Sequence, residues 1–116
     1  MPQPVLGYAA GEGASVTQAT SKATGVTINK LCGQIVMNAA ALAAGAEVAF
    51  TVTNSMVSAT DVPIACVQSA GTAGAYLVSV GAVANGSFSV TVSNASAGSL
   101  SQALVLNFIV LKSAAN

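Results

Sequence analysis

The amino-acid sequence predicts an all-β protein, an antiparallel β-sandwich preceded by an extended N-terminal arm. Three observations predict it. Short runs of β-branched and aromatic residues recur from Thr24 onward, separated by Gly, Asn, Ser and Ala turn signals. Several of these runs alternate apolar and polar side chains with period two, as half-buried strands do. The 116 residues, 53% of them apolar, are enough for one domain with a modest core and too apolar for a disordered chain. Residues 1–23 are the expected arm and residues 24–116 the expected sandwich.

The arm is rich in Gly, Ala, Ser, Thr and Gln, carries Pro2 and Pro4, and shows no sustained apolar period. A first strand near Ser15–Thr20 would end it. Val26–Lys30 and Gln34–Asn38 are the next candidate strands, with Gly33 as a break or a bulge between them. Residues 39–45 read as a loop or a short helical turn. Glu47–Asn54 is the clearest strand: Val48, Phe50 and Val52 point one way, and Ala49, Thr51 and Thr53 the other. Val62–Val67 follows, and Pro63 near its start marks an edge or a first position. A hairpin spans Tyr76 to Ser93. Its first arm alternates Tyr76, Val78 and Val80 with Leu77, Ser79 and Gly81. Asn85-Gly86 makes the turn, and Phe88, Val90 and Val92 return against Ser87, Ser89, Thr91 and Ser93.

The segment Gln102–Lys112 differs from the rest. Leu104, Leu106, Phe108 and Val110 share one face, while Ala103, Val105, Ile109 and Leu111 share the other, with Asn107 the polar exception. A strand apolar on both faces is either central in a sheet or caught between subunits. Leu104, Leu106, Phe108 and Val110 are therefore candidate subunit contacts. Pro4, Val5, Leu6 and Tyr8 of the arm join them. The hydroxyl ladders Thr51/Thr53 and Ser87/Ser89/Thr91/Ser93 lose little rotamer entropy on burial, so they suit either water or a flat protein partner.

Charge restricts function. The only formal charges are Glu12, Lys22, Lys30, Glu47, Asp61 and Lys112; they cancel and make up 5% of the chain, against about 25% in an average soluble domain. Sparse charge with zero net balance favours association over a solitary life in solution. With no basic patch, nucleic-acid binding by counterion release has no source. No run is long and apolar enough to be a membrane helix, because Gly33, Gln34, Asn38 and Gly45 interrupt Leu31–Ala46, the richest stretch. The first thirteen residues lack the charged and apolar regions of a signal peptide.

Chemistry is equally scarce. The chain has no His, so a catalytic triad lacks its usual base. Glu47 and Asp61 are not placed by spacing to act as a carboxylate pair. The Gly-rich run Gly7–Gly13 has neither the preceding strand nor the following helix that a phosphate cradle needs. Neither a metal site nor a cofactor is expected. Cys32 and Cys66 fit no zinc or redox spacing; they read as small buried apolar residues, as a disulfide, or as reactive thiols. Asn85-Gly86-Ser87 and Asn94-Ala95-Ser96 match the glycosylation pattern by chance.

A set of segments carries a family resemblance. These are Thr-Ser-Lys-Ala-Thr-Gly-Val-Thr-Ile-Asn-Lys (20–30), Cys-Gly-Gln-Ile-Val-Met-Asn (32–38) and Phe-Thr-Val-Thr-Asn-Ser (50–55). Gly-Thr-Ala-Gly-Ala-Tyr (71–76), Gly-Ser-Phe-Ser-Val-Thr-Val (86–92) and Ser-Ala-Gly-Ser-Leu-Ser (96–101) complete it. In this order the stretch from Thr17 to Lys112 resembles a small domain of virion proteins from tailed bacteriophages and prophages. The resemblance implies a β-sandwich, jelly-roll-like, in capsid-decorating, head-fibre or tail-associated proteins, with no catalytic residues. It implies a non-enzymatic capsid decoration or cement protein, made in the bacterial cytoplasm with reduced cysteines and residing on the virion. Its partners would be the major capsid protein or other virion subunits, and further copies of itself, as trimers. A receptor- or carbohydrate-binding module, using Tyr8 or Tyr76, is the alternative.

Overall fold

A computed structural model describes residues 6–115. The expected arm residues Pro4 and Val5 lie outside the described residues. The described chain is all β, with eight strands: β1 (Gly13–Thr17), β2 (Val26–Thr27), β3 (Cys32–Val36), β4 (Glu47–Thr53), β5 (Val62–Ser69), β6 (Tyr76–Ala84), β7 (Ser87–Asn94) and β8 (Val105–Leu111). They make two four-stranded sheets, ordered β1-β3-β8-β5 and β2-β4-β7-β6. Both sheets are mixed: β1 runs parallel to β3 and β2 parallel to β4, and the other pairs are antiparallel. The expectation of a purely antiparallel sandwich is corrected by these two edge pairs.

Alternation decides what the sheets bury. In β7, Phe88, Val90, Val92 and Asn94 are buried while Ser87, Ser89, Thr91 and Ser93 lie half-exposed on the outside. Phe50 and Val52 of β4 sit opposite Val90 and Phe88. From the other sheet, Ile35 of β3 and Leu106, Phe108 and Val110 of β8 face them. The Phe88 and Phe108 rings meet between the sheets, tilted by 53° with centroids 6.0 Å apart, a favourable edge-inclined contact.

The arm boundary moves. β1 is a full edge strand in register with β3, and Gln18 and Lys22 are buried beyond it, so residues 13–23 belong to the sandwich. Two polar side chains hold this segment down. Gln18 accepts from the Asn38 N–H at 2.9 Å and donates to the Lys22 and Thr24 carbonyls at 2.9 and 3.0 Å. The Lys22 ammonium donates to the carbonyls of Gln102, at 2.7 Å, and Asn38. Burial pushes the Lys22 pKa down. A sequence period cannot announce such anchoring, because polar residues do it.

Gly33 is neither a break nor a bulge. It lies within β3, and a Cβ there would sit 2.4 Å from the Ala14 carbonyl oxygen. Its missing side chain lets β1 approach, so Gly33→Ala is expected to detach β1. Loss of amide-exchange protection across residues 13–17, with protection kept in β7, is the measurement that checks it.

Pro63 sits at a sheet edge, as its chemistry requires. β5 pairs with β8 alone, and the Val110 N–H points the other way, to the Leu31 carbonyl at 2.7 Å. Opposite Val110, Pro63 therefore turns its donor-less nitrogen to the free edge. At the β6–β7 turn, Gly86 has φ +87° while Asn85 is not left-handed. The turn is held instead by its neighbours: Gly86 donates to the Val57 carbonyl and accepts from Asn54, and Asn85 Oδ1 accepts from the Ala59 N–H. Residues 39–45 form a loop pinned by the Leu42–Leu100 bridge.

Candidate functional site

The two outer faces of the sandwich have different chemistry. On the β2-β4-β7-β6 sheet the outward residues are mostly small or hydroxylic: Ala49, Thr51 and Thr53, then Ser87, Ser89, Thr91 and Ser93, then Ser79 and Gly81, with Leu77 the one large apolar residue. On the β1-β3-β8-β5 sheet aliphatic residues cluster on β5 and β8, while Gly13, Ser15 and Thr17 of β1 and Gln34 of β3 keep the other side small or polar. Ile64, Ile109 and Cys32 form one row across β5, β8 and β3, and Cys66, Asn107 and Gln34 form the next. Val62 and Leu111 extend the patch at the end of β8. Val62 and Ile64 are each 48% exposed and Leu111 40%, too open for a core and too apolar for a face meant only for water.

This aliphatic face is concave. A groove of about 420 Å³ runs between Cys32 and Gln34 on one side and Ile64 and Cys66 on the other, with Asn107 and Ile109 on its floor. A second cleft, of about 410 Å³, adjoins it where Leu6, Gly7 and Tyr8 rise beside Ile64, Ile109 and Leu111. The Tyr8 hydroxyl donates to the Val110 carbonyl at 2.7 Å and fastens this segment to the end of β8. Leu6 next to it is fully exposed. On the groove floor, Asn107 Oδ1 is buried and has no hydrogen-bond partner. Gln34 and Gln68 close the far end, joined at 2.6 Å.

The sequence-derived contact residues fall on both sides of the sheet. Leu6 and Tyr8 are on the outer face. Leu104, Leu106, Phe108 and Val110 are not: all are at most 3% exposed, packed into the subunit's own core. Their assignment as surface contacts is corrected. A strand with two apolar faces has one to spend on the core, and only the tertiary packing says which. The outer face of the strand is the other one, Val105, Asn107, Ile109 and Leu111.

Neither cysteine is fully buried; Cys32 is half-buried and Cys66 exposed, and both thiols are free. β8 lies between them, so two strand spacings, about 9.5 Å, separate their backbones. A disulfide spans about 7 Å between Cα atoms at most. Asn94 is fully buried, which removes it as a glycan acceptor; its Oδ1 instead accepts from the Ser96 N–H at 2.9 Å.

Among the described residues one ion pair forms, between Lys112 and Asp61. The Lys112 ammonium meets Asp61 Oδ2 at 2.6 Å, and the Ser58 N–H donates to the same oxygen at 2.8 Å. The Lys112 hydrogen bond, more than any other influence, holds the Asp61 pKa below the ordinary carboxylate value. A lowered folded-state pKa stabilises the fold above the unfolded value of 3.8, and that stability is lost as pH falls through the folded pKa. The thermal unfolding midpoint is thus expected to fall on acidification from pH 5 to pH 2, and Asp61→Asn should lower the midpoint at pH 5 and flatten this acid slope.

Tyr76, a candidate for sugar contact, is half-buried, and its hydroxyl lies 2.8 Å from Gln102 Oε1, to which it donates. Burial raises its pKa. Among the described residues no three His, Cys, Asp or Glu side chains come together as metal ligands would, and no helix is long and apolar enough to cross a membrane. The chain matches no protein-family model, no curated protein and no solved structure.

Proposed function

We propose that the chain is a non-enzymatic structural subunit of a tailed-bacteriophage virion, a decoration or cement protein that binds the assembled head. The observation that carries this reading is the aliphatic, charge-free outer face of the β1-β3-β8-β5 sheet, in a chain with six formal charges. Two of those, Lys22 and Asp61, are buried, so the surface is less ionic than the sequence alone suggests. Such a surface favours protein contact over free solution. The nested pairing of β3 with β8 and β4 with β7 supports a jelly-roll-like sandwich, the fold that the phage resemblance implies.

The mechanism is mass action. A subunit that binds the closed shell and not the free coat protein stabilises the closed state. Purified chain added to undecorated heads is expected to co-sediment with them and to raise the temperature at which they release DNA. Heads that neither bind it nor change their release temperature would sink the reading.

A further inference from the structure

We propose that Asn85 is a latent deamidation site, which the fold keeps closed by holding both reacting groups against the 54–59 loop. Nothing in this depends on what the chain binds. It sets how long the subunit keeps its neutral surface and its β6–β7 turn.

The chemistry is that of an asparagine beside a glycine. The backbone nitrogen of the second residue gives up its proton to base and attacks the side-chain carbonyl carbon of the first. The new C–N bond closes a succinimide ring, and the Cγ–Nδ2 bond breaks to release ammonia. Water then opens the ring at either carbonyl, leaving aspartate or isoaspartate with one new negative charge. A following glycine favours the reaction, because no side chain crowds the attacking nitrogen and the backbone turns freely. Asn85-Gly86 is the one Asn-Gly pair in the chain. It forms the turn between β6 and β7, and Asn85 is exposed to solvent. By sequence and exposure alone it should react readily.

The structure places a lock on each reactant. The nucleophile is the Gly86 nitrogen, and its N–H donates to the Val57 carbonyl at 2.9 Å. Its deprotonation by base is the same step that begins amide exchange, and a hydrogen-bonded N–H is protected from it. Val57 is 4% exposed and packed in the core, so this acceptor is firmly placed. The electrophile is Asn85 Cγ. Its Oδ1 accepts from the Ala59 N–H at 2.9 Å, which fixes the rotation of the carboxamide. Ala59 is held in turn by the Ser58–Asp61 turn. That turn is closed by the Asp61 N–H on the Ser58 carbonyl at 3.0 Å and braced by the Ser58 N–H on Asp61 Oδ2 at 2.8 Å. The Gly86 carbonyl adds a third bond, accepting from the Asn54 N–H at 2.8 Å. Ring closure needs the first two bonds open together, so the reaction waits on local opening of the 54–59 loop. Isoaspartate adds one carbon to the backbone of the turn, which shifts these bonds out of register.

The full chain supplies the test. It is incubated at one mildly alkaline pH, folded and in guanidinium chloride, and isoaspartate at residue 85 is followed by peptide mass spectrometry and enzymatic isoaspartyl methylation. The folded chain is expected to deamidate at least about tenfold more slowly than the unfolded one. Ala59→Pro is the specific probe. Proline suits the second position of the Ser58–Asp61 turn and removes the N–H that holds Asn85. It should raise the folded rate severalfold with an unchanged circular-dichroism spectrum. In the parent chain, subdenaturing guanidinium should speed Gly86 amide exchange and Asn85 deamidation together, since both need the same opening. Equal rates in the folded and unfolded chain overturn the proposal. So does a folded Ala59→Pro chain that reacts no faster than the parent.

Discussion

Phe108→Ala is expected to remove about 3–5 kcal/mol of folding stability, the usual cost of truncating a buried phenylalanine. Domains of this kind have roughly 5–15 kcal/mol in total, so the variant should be marginal at room temperature. The expectation follows from position. Phe108 is 3% exposed, points from β8 into the space between the sheets, and meets Phe88 of β7 at 6.0 Å. Across the strands its nearest partners are Gly33 and Ala65, both small, so no neighbouring side chain can swing in to fill the void. Urea unfolding is the measurement: the midpoint should drop with little change in slope. Its strand neighbour Ile109 points the opposite way, to the outer face, and Ile109→Ala should cost the monomer far less. Equal losses for the two would mean that the inside and outside of β8 have been assigned wrongly. Intact monomer stability in Phe108→Ala, with loss of assembly alone, would restore that residue as a subunit contact.

Asn94→Ala should cost about 2–4 kcal/mol, from buried polar groups left without partners. Asn94 closes β7 with no exposed surface, and every one of its side-chain groups is used. Its Nδ2 donates to the Leu42 carbonyl at 2.8 Å and the Gly98 carbonyl at 2.9 Å. Its Oδ1 accepts from the Ser96 N–H at 2.9 Å and the Ser96 hydroxyl at 2.7 Å. Two loops, the one through Leu42 and the one through Ser96 and Gly98, thus hang on one carboxamide. Asn94→Asp is the sharper probe. It keeps the shape and the acceptor, but turns a buried carboxylate toward two carbonyls. It should destabilise at least as much as alanine at pH 7 and recover partly on acidification, when the protonated acid can donate again. A small loss in both variants would mean that water replaces these hydrogen bonds and that the loops hold themselves.

Much of the fold was legible because its signals are local. The alternation in Glu47–Asn54 and Ser87–Ser93 required one buried face, and the structure buries Phe50, Val52, Phe88, Val90 and Val92. Pro63 called for an edge or a first position, and it lies second in an edge strand. Gly33 was misread, because its reason lies in the Ala14 carbonyl nineteen positions away and not in its own strand. The parallel pairs β1–β3 and β2–β4 were illegible for the same reason: a short polar strand joins a sheet by backbone hydrogen bonds, which leave no hydrophobic period. Of the outer patch, Leu6 and Tyr8 were legible. Ile64, Ile109 and Leu111 were visible only as apolar residues without a destination.

By itself, the sequence determined that this protein is built of strands and has few ionisable side chains for proton chemistry. Period and composition are properties of the chain, and side-chain alternation follows from backbone geometry alone. Only the tertiary structure decided which face of β8 closes the core and which meets the outside, because both are apolar and a strand turns either face inward with equal ease. The choice falls to the residues packed across from it: Phe88, Val90 and Val92 offer an apolar layer to Leu106, Phe108 and Val110. Ile109, Leu111 and Asn107 are left on the outer face.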